Sequence, residues 1–131
     1  MKKYFFLTIV MLATLLGVAQ VAKPTQSAII KTPNALCEQC KLRIENNLKR
    51  YDGLLSCMVN YRKGETKVKF VIDRINIEEI KTAIANMGYD ADDVTAEETA
   101  YNRLPKTCKK YEEGGGHPKP KVPSATEQPT Q

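Results

Sequence analysis

The residues best suited to chemistry in this sequence are two cysteines separated by two positions, Cys37-Glu38-Gln39-Cys40. At the entry to a helix, such spacing turns both sulfurs toward one point, and the unsatisfied N–H groups of the first turn favour thiolate over thiol. Soft thiolates suit Cu(I) and other thiophilic ions. The same pair could instead cycle between dithiol and disulfide, or be a purely structural disulfide. Against the redox reading, the chain lacks an aromatic residue before the first cysteine and a later strand-leading proline. The segment offers only two sulfurs, with no adjacent histidine and no second pair, so it does not by itself encode a closed four-ligand zinc site. Two more cysteines, Cys57 and Cys108, and the chain's single histidine, His117, complete the inventory. A lone histidine in a glycine- and proline-rich stretch excludes any catalytic scheme that needs several.

To position the pair, a strand must deliver the chain to the loop and a helix must follow it. Ala28, Ile30 and Thr32 alternate with Ile29 and Lys31, which predicts a first strand with one buried face, ended by Pro33-Asn34. Beyond Cys37, the positions Cys40, Ile44, Leu48 and Tyr51 form one stripe of an amphipathic helix that stops at Asp52-Gly53. Leu55, Cys57, Val59 and Tyr61 alternate inward on a second strand, so Cys57 reads as a buried structural thiol. Arg62-Lys63-Gly64-Glu65 has hairpin character, and Val68, Phe70 and Ile72 face inward on a third strand. Asn76 with Glu79 forms a capping box ahead of a second helix, whose stripe is Ile77, Ile80, Ile84 and Met87 and whose stop is Gly88. Tyr89-Asp90-Ala91 leads to a short last strand ending near Val94-Thr95. The order β-α-β-β-α-β predicts an α+β, ferredoxin-like sandwich: a four-stranded antiparallel sheet with both helices on one face.

The chain's ends carry different information. Of 131 residues, Met1-Lys2-Lys3 and the apolar run Tyr4 to Val18 match a secretory signal, with cleavage expected near Ala19. The run is short for a membrane span, so the mature chain is expected in the periplasm or secreted, without stable membrane insertion. Residues 20–27 read as a linker and 28–95 as the folded domain. Residues 96–131, where Gly114-Gly115-Gly116 is followed by four of the seven prolines, read as a polar and largely disordered tail, apart from a helical turn or two between Glu97 and Leu104. About 70 residues remain to pack, room for one small core and no multidomain enzyme. The formal net charge of +5, from 20 Lys+Arg against 15 Asp+Glu, is too slight and dispersed for a nucleic-acid binder.

Over residues 28–95 the sequence resembles the heavy-metal-associated domain family. The resemblance rests on Cys37 and Cys40, on Ile44 and Leu48, on Gly53-Leu54, on Val59-Asn60 and on Met87-Gly88-Tyr89-Asp90-Ala91. It departs just before the first cysteine, where the family commonly has Gly-Met-Thr and this chain has Asn34-Ala35-Leu36; Lys41 also replaces a usually apolar residue. The resemblance implies that Cys37 and Cys40 hold one soft ion, Cu(I) first with Hg(II) or Zn(II) as alternatives, and that Tyr89 lies beside the site. It further implies a carrier and no enzyme, passing its ion to a metal-transporting ATPase or another acceptor bearing the same motif. A monomer is expected, with a metal-bridged dimer as the alternative. Cys108 and His117 are candidate auxiliary ligands if the tail swings back; the competing expectation is a trailer with no energetic role.

Overall fold

The computed structural model describes residues 23–118. The expected signal peptide, its cleavage position and the last part of the tail lie outside the described residues. Three strands, β1 (Thr25–Lys31), β2 (Leu54–Asn60) and β3 (Glu65–Val71), form one antiparallel sheet in the order β1-β3-β2. β1 starts inside the stretch expected to be a linker, because Thr25, Gln26 and Ser27 have β3 partners in Val71, Phe70 and Lys69. The register sets Ile30, Thr66 and Val59 in one row and Ala28, Val68 and Cys57 in the next, all on one face. That face is covered by α1 (Glu38–Leu48) and α2 (Ile77–Asn86), which bury Cys40, Ile44 and Leu48 from one helix and Ile80, Ala83 and Ile84 from the other. Ile29, Met58, Lys67 and Lys69 alternate to the outer, exposed face.

Three expectations about the apolar stripes need correction. A β-bulge between Leu54 and Ser56 shifts the register, so Leu54 faces the core and Leu55 is exposed. A single inserted residue reverses the alternation, and the pattern from Leu55 cannot reveal it. α1 ends at Leu48, three residues before Tyr51, which is exposed. Ile72 lies past the end of β3 and is also exposed.

The fourth strand is not formed among the described residues. Ala91 and Val94 instead exchange both backbone hydrogen bonds, at 2.8 and 2.9 Å, in a tight turn with Asp92 at φ 53°. A residue in the left-handed region cannot continue a ladder. What remains of the strand is one anchor on the end of β1: the Asp92 N–H donates to the Lys31 carbonyl at 2.9 Å, and the Lys31 N–H donates to Asp92 Oδ1 at 2.8 Å.

The polar tail is corrected most. The chain continues into a short helix, α3 (Glu98–Asn102), then two 3-10 turns, Lys106–Cys108 and Tyr111–Glu113. Leu104, Cys108 and His117 are all buried. The Glu97 N–H donates to the Ala85 carbonyl and the Ala96 N–H to Asp90 Oδ1, both at 2.9 Å, tying this segment to α2 and to the loop after it. α3 packs so closely that a Cβ on Gly88, which has φ 91°, would lie 2.8 Å from the Tyr101 nitrogen.

Candidate metal centre

Cys37 is the N-cap of α1, in an extended conformation with φ −132° and ψ 161°. Its sulfur accepts a hydrogen bond from the Cys40 N–H at 3.1 Å, the role usually taken by a serine or aspartate oxygen. One helical turn on, Cys40 lies fully buried on the stripe that also carries Ile44 and Leu48. The two residues, with Cα atoms 5.2 Å apart, are joined as a disulfide, and Cys57 and Cys108 are free thiols. Reduction is therefore the first condition for any ligand chemistry at the pair.

The loop that delivers Cys37 is held from below and from the side. Ala35 is fully buried and its N–H donates to the Thr32 carbonyl at 3.0 Å; the buried hydroxyls of Thr32 and Thr66 pair at 3.0 Å. Asn34, where the sequence departs from the family pattern, is buried, and its Oδ1 accepts from the Asp90 N–H at 2.8 Å. Asn34 thus links the cysteine loop to the Gly88-Tyr89 loop, an anchoring role that sequence reasoning missed. Its position next to Pro33 in a turn is the one available signal, since asparagine readily bonds backbone groups in turns.

The folded-back segment brings two further donors to the pair. Cys108 Sγ lies 3.5 Å from Cys37 Sγ, and His117 Nε2 lies 3.2 Å from Cys40 Sγ. The sulfurs of Cys37, Cys40 and Cys108 all fall within 4.8 Å of one another, and both Cys108 and His117 are buried. The motif segment alone offers two sulfurs; the fold gathers three sulfurs, two of them joined as the disulfide, and an imidazole. Burial holds the His117 pKa below its ordinary value and so favours the neutral ring. Its Nδ1 has no hydrogen-bond partner among the described residues.

Tyr89 is fully buried beside this cluster, and its hydroxyl likewise has no hydrogen-bond partner among the described residues. Burial first, and then the neighbouring Cys108, raise the Tyr89 phenol pKa well above its usual range. Cys57 is apart from the cluster: half-buried under α1, its thiol is pushed up to about 12 by burial and then by the Glu45 charge. Met58 and Met87 are not donors here, the first exposed on the outer sheet face and the second packed against the core.

Residues Pro105 to His117 act as a strap across the loop. The Tyr101 hydroxyl accepts from the Lys110 N–H at 3.1 Å and donates to Glu113 Oε2 at 2.9 Å, while Lys110 Nζ stands 5.9 Å from the ring centre. Between the 3-10 turns and His117 the backbone doubles back through hydrogen bonds from the Gly115 N–H to the Lys110 carbonyl at 3.0 Å and from the Gly116 N–H to the Lys106 carbonyl at 2.8 Å. A Cβ on Gly115 would strike the Lys109 carbonyl and lie 2.7 Å from that of Lys110. The glycine run expected to leave the tail unstructured is what permits this close return. Beside the strap opens a cleft of about 250 Å³, lined by Asn34, Leu36, Asp90, Lys110 and His117.

Comparison with known proteins agrees with this architecture. The model for the heavy-metal-associated domain matches residues 29–90. Copper chaperone CopZ of Staphylococcus aureus (strain Newman) is 31% identical over 62 residues, which span 47% of this chain and 91% of that protein. The chaperone of the same name from Staphylococcus haemolyticus is 29% identical over an equal span. Among solved structures, the water-soluble region of the P-type ATPase CopA from Bacillus subtilis aligns with a TM-score of 0.51 at 22% identity, covering 54% of this chain and 47% of that one. Oxidized MerP from Ralstonia metallidurans aligns at 0.50 with 19% identity, over 53% and 96% of the two chains. These two likenesses speak for the fold. With the paired cysteines at the start of α1, the Gly-Tyr loop beside them and relatives covered almost end to end, the chain belongs to the heavy-metal-associated domain family.

Proposed function

We propose that this protein carries one soft metal ion, Cu(I) in the first place, between the thiolates of Cys37 and Cys40 and hands it over by ligand exchange. The observation that carries this reading is the placement of both sulfurs at the capped start of α1, where backbone N–H groups stabilise negative charge on sulfur. The names of the staphylococcal relatives support copper as the cargo. Two electrons and two protons from a dithiol reductant first open the Cys37–Cys40 bond. Each thiolate then binds the ion, and the acceptor's two thiolates displace them one at a time, one metal–sulfur bond forming as another breaks. The acceptor is a metal-transporting ATPase or another protein with the same motif, met in the periplasm or outside the cell, where the N-terminal apolar run would direct the chain. The chain works as a carrier, not an enzyme, and as a monomer.

Native mass spectrometry of the reduced protein, offered Cu(I), Zn(II) and Hg(II) together, tests this. One Cu(I) per chain is expected, and loss of it when Cys37 and Cys40 are both changed to serine. Full Cu(I) binding by the double variant would end the reading.

A further inference from the structure

We propose that Cys108 and His117 complete, with Cys37 and Cys40, a closed site of three sulfurs and one nitrogen for a tetrahedral divalent ion of the Zn(II) type, and that the strap is the part that closes it. The inference rests on the carrier reading for its two anchoring thiolates and adds two ligands from outside the part of the chain matched to the family. The edge lengths support it. A tetrahedral site with metal–sulfur bonds of about 2.3 Å and metal–nitrogen bonds of about 2.0 Å has sulfur–sulfur edges of about 3.8 Å and sulfur–nitrogen edges of about 3.5 Å. Cys37 and Cys108 sulfurs stand 3.5 Å apart, and Cys40 Sγ and His117 Nε2 stand 3.2 Å apart. These two edges need only small adjustment, and the three sulfurs already lie within 4.8 Å of one another. The Cys37–Cys40 edge lengthens when that bond is reduced. The His117 nitrogens are not within 4.8 Å of all three sulfurs, so the ring must move inward as the strap closes.

Burial supports it independently. His117 is 3% exposed, its ring directed to sulfur through Nε2, and Cys108 is fully buried. The buried ring turns Nε2 to the Cys40 sulfur at 3.2 Å, and a soft sulfur is a weak hydrogen-bond partner for an imidazole. A metal held between the two would replace that weak contact with bonds to both atoms. Closure also changes transfer. A two-thiolate site leaves the ion open to an incoming thiolate, whereas four protein donors leave no vacant position, so release waits on the strap lifting from the loop.

The test uses the full reduced chain under anaerobic conditions. Co(II) serves as the spectroscopic probe, and Zn(II) and Cu(I) affinities are measured by competition with chromogenic chelators. The unaltered protein is expected to give intense tetrahedral Co(II) bands with the charge-transfer absorption of three thiolates. Cys108→Ser and His117→Gln are each expected to weaken Zn(II) by about 100-fold, one ligand's share of a structural site's affinity. Cu(I) affinity should change by less than about tenfold, because two thiolates suffice for that ion. Unchanged Zn(II) affinity in both variants, or a two-thiolate Co(II) spectrum, overturns the four-donor site and leaves the carrier reading intact. Retention of Cu(I) by the Cys37→Ser, Cys40→Ser double variant overturns the carrier reading instead. If Cys108→Ser does not fold, His117→Gln and the Co(II) spectrum of the unaltered chain decide.

Discussion

Changing Gly115 to alanine should open the strap without disturbing the domain beneath it. The new methyl group would collide with backbone atoms of Lys109 and Lys110, which cannot rotate away as a side chain tip would. Relief requires separating the two arms of the turn. Those arms are joined by the Gly115 and Gly116 hydrogen bonds and by a longer one, 3.4 Å, from the His117 N–H to the Lys109 carbonyl. At about 1 kcal/mol net for each of the two full bonds and less for the long third one, the loss comes to about 2–3 kcal/mol. That raises the open population by about 30- to 150-fold, at 1.4 kcal/mol per factor of ten. Amide hydrogen exchange read by NMR measures it directly: protection of Gly116 and His117 should fall by this factor, while the β3 amides of Val68 and Phe70 keep theirs. Equal protection in variant and parent would show that the close return at Gly115 does not hold His117 in place. A parallel loss throughout β3 would show that the strap and the sheet open as one unit.

Two further outcomes follow from the packing. Gly88→Ala places a side chain at φ 91° against the backbone of α3, so it should lower stability by at least the about 1–2 kcal/mol of a left-handed L-residue; a melting temperature lowered by roughly 5–15 °C is expected in a thermal scan, and no change would refute the contact. Cys57, its thiol pushed up to about 12, should resist iodoacetamide at pH 8.5 in the folded protein and react once denatured. Because its pKa is higher folded than the about 8.5 of an unfolded chain, its contribution is whole below that pH and drains away as pH rises toward 12. The urea midpoint should therefore fall more steeply across that window than in Cys57→Ala; matching slopes would refute the burial assignment.

The part of the site built from local sequence was legible before the structure. Cys37 and Cys40 sit at the start of α1 as their spacing requires, and the stripe of Cys40, Ile44 and Leu48 is buried as its period requires. The Asn76–Glu79 capping box forms with both reciprocal hydrogen bonds. What was not legible depends on contacts distant in sequence or on one-residue irregularities. The bulge at Leu54–Ser56 inverts an alternation that looks regular, and Asp92 turns the chain where Val94 and Thr95 looked like strand residues. The strap is the largest case. Its few buried residues, Leu104, Cys108 and His117, are too widely spaced to make a periodic pattern. Their partners, Tyr89 and the cysteine loop, are supplied by the rest of the fold, and three adjacent glycines read as looseness when one of them marks a tight backbone approach.

The direction of β1 sets how the molecule can be attached to anything else. The chain enters at the pole where the Pro24 carbonyl accepts from the Ile72 N–H and the Gly53 carbonyl from the Val71 N–H. From there β1 runs its seven residues, about 23 Å, toward the cysteine loop. A bead, a membrane surface or a fusion partner joined ahead of Lys23 would therefore meet the pole away from the sulfurs. Held by that end, the domain would stand off its support by about the length of its own strand, with the cysteine loop and the strap facing outward.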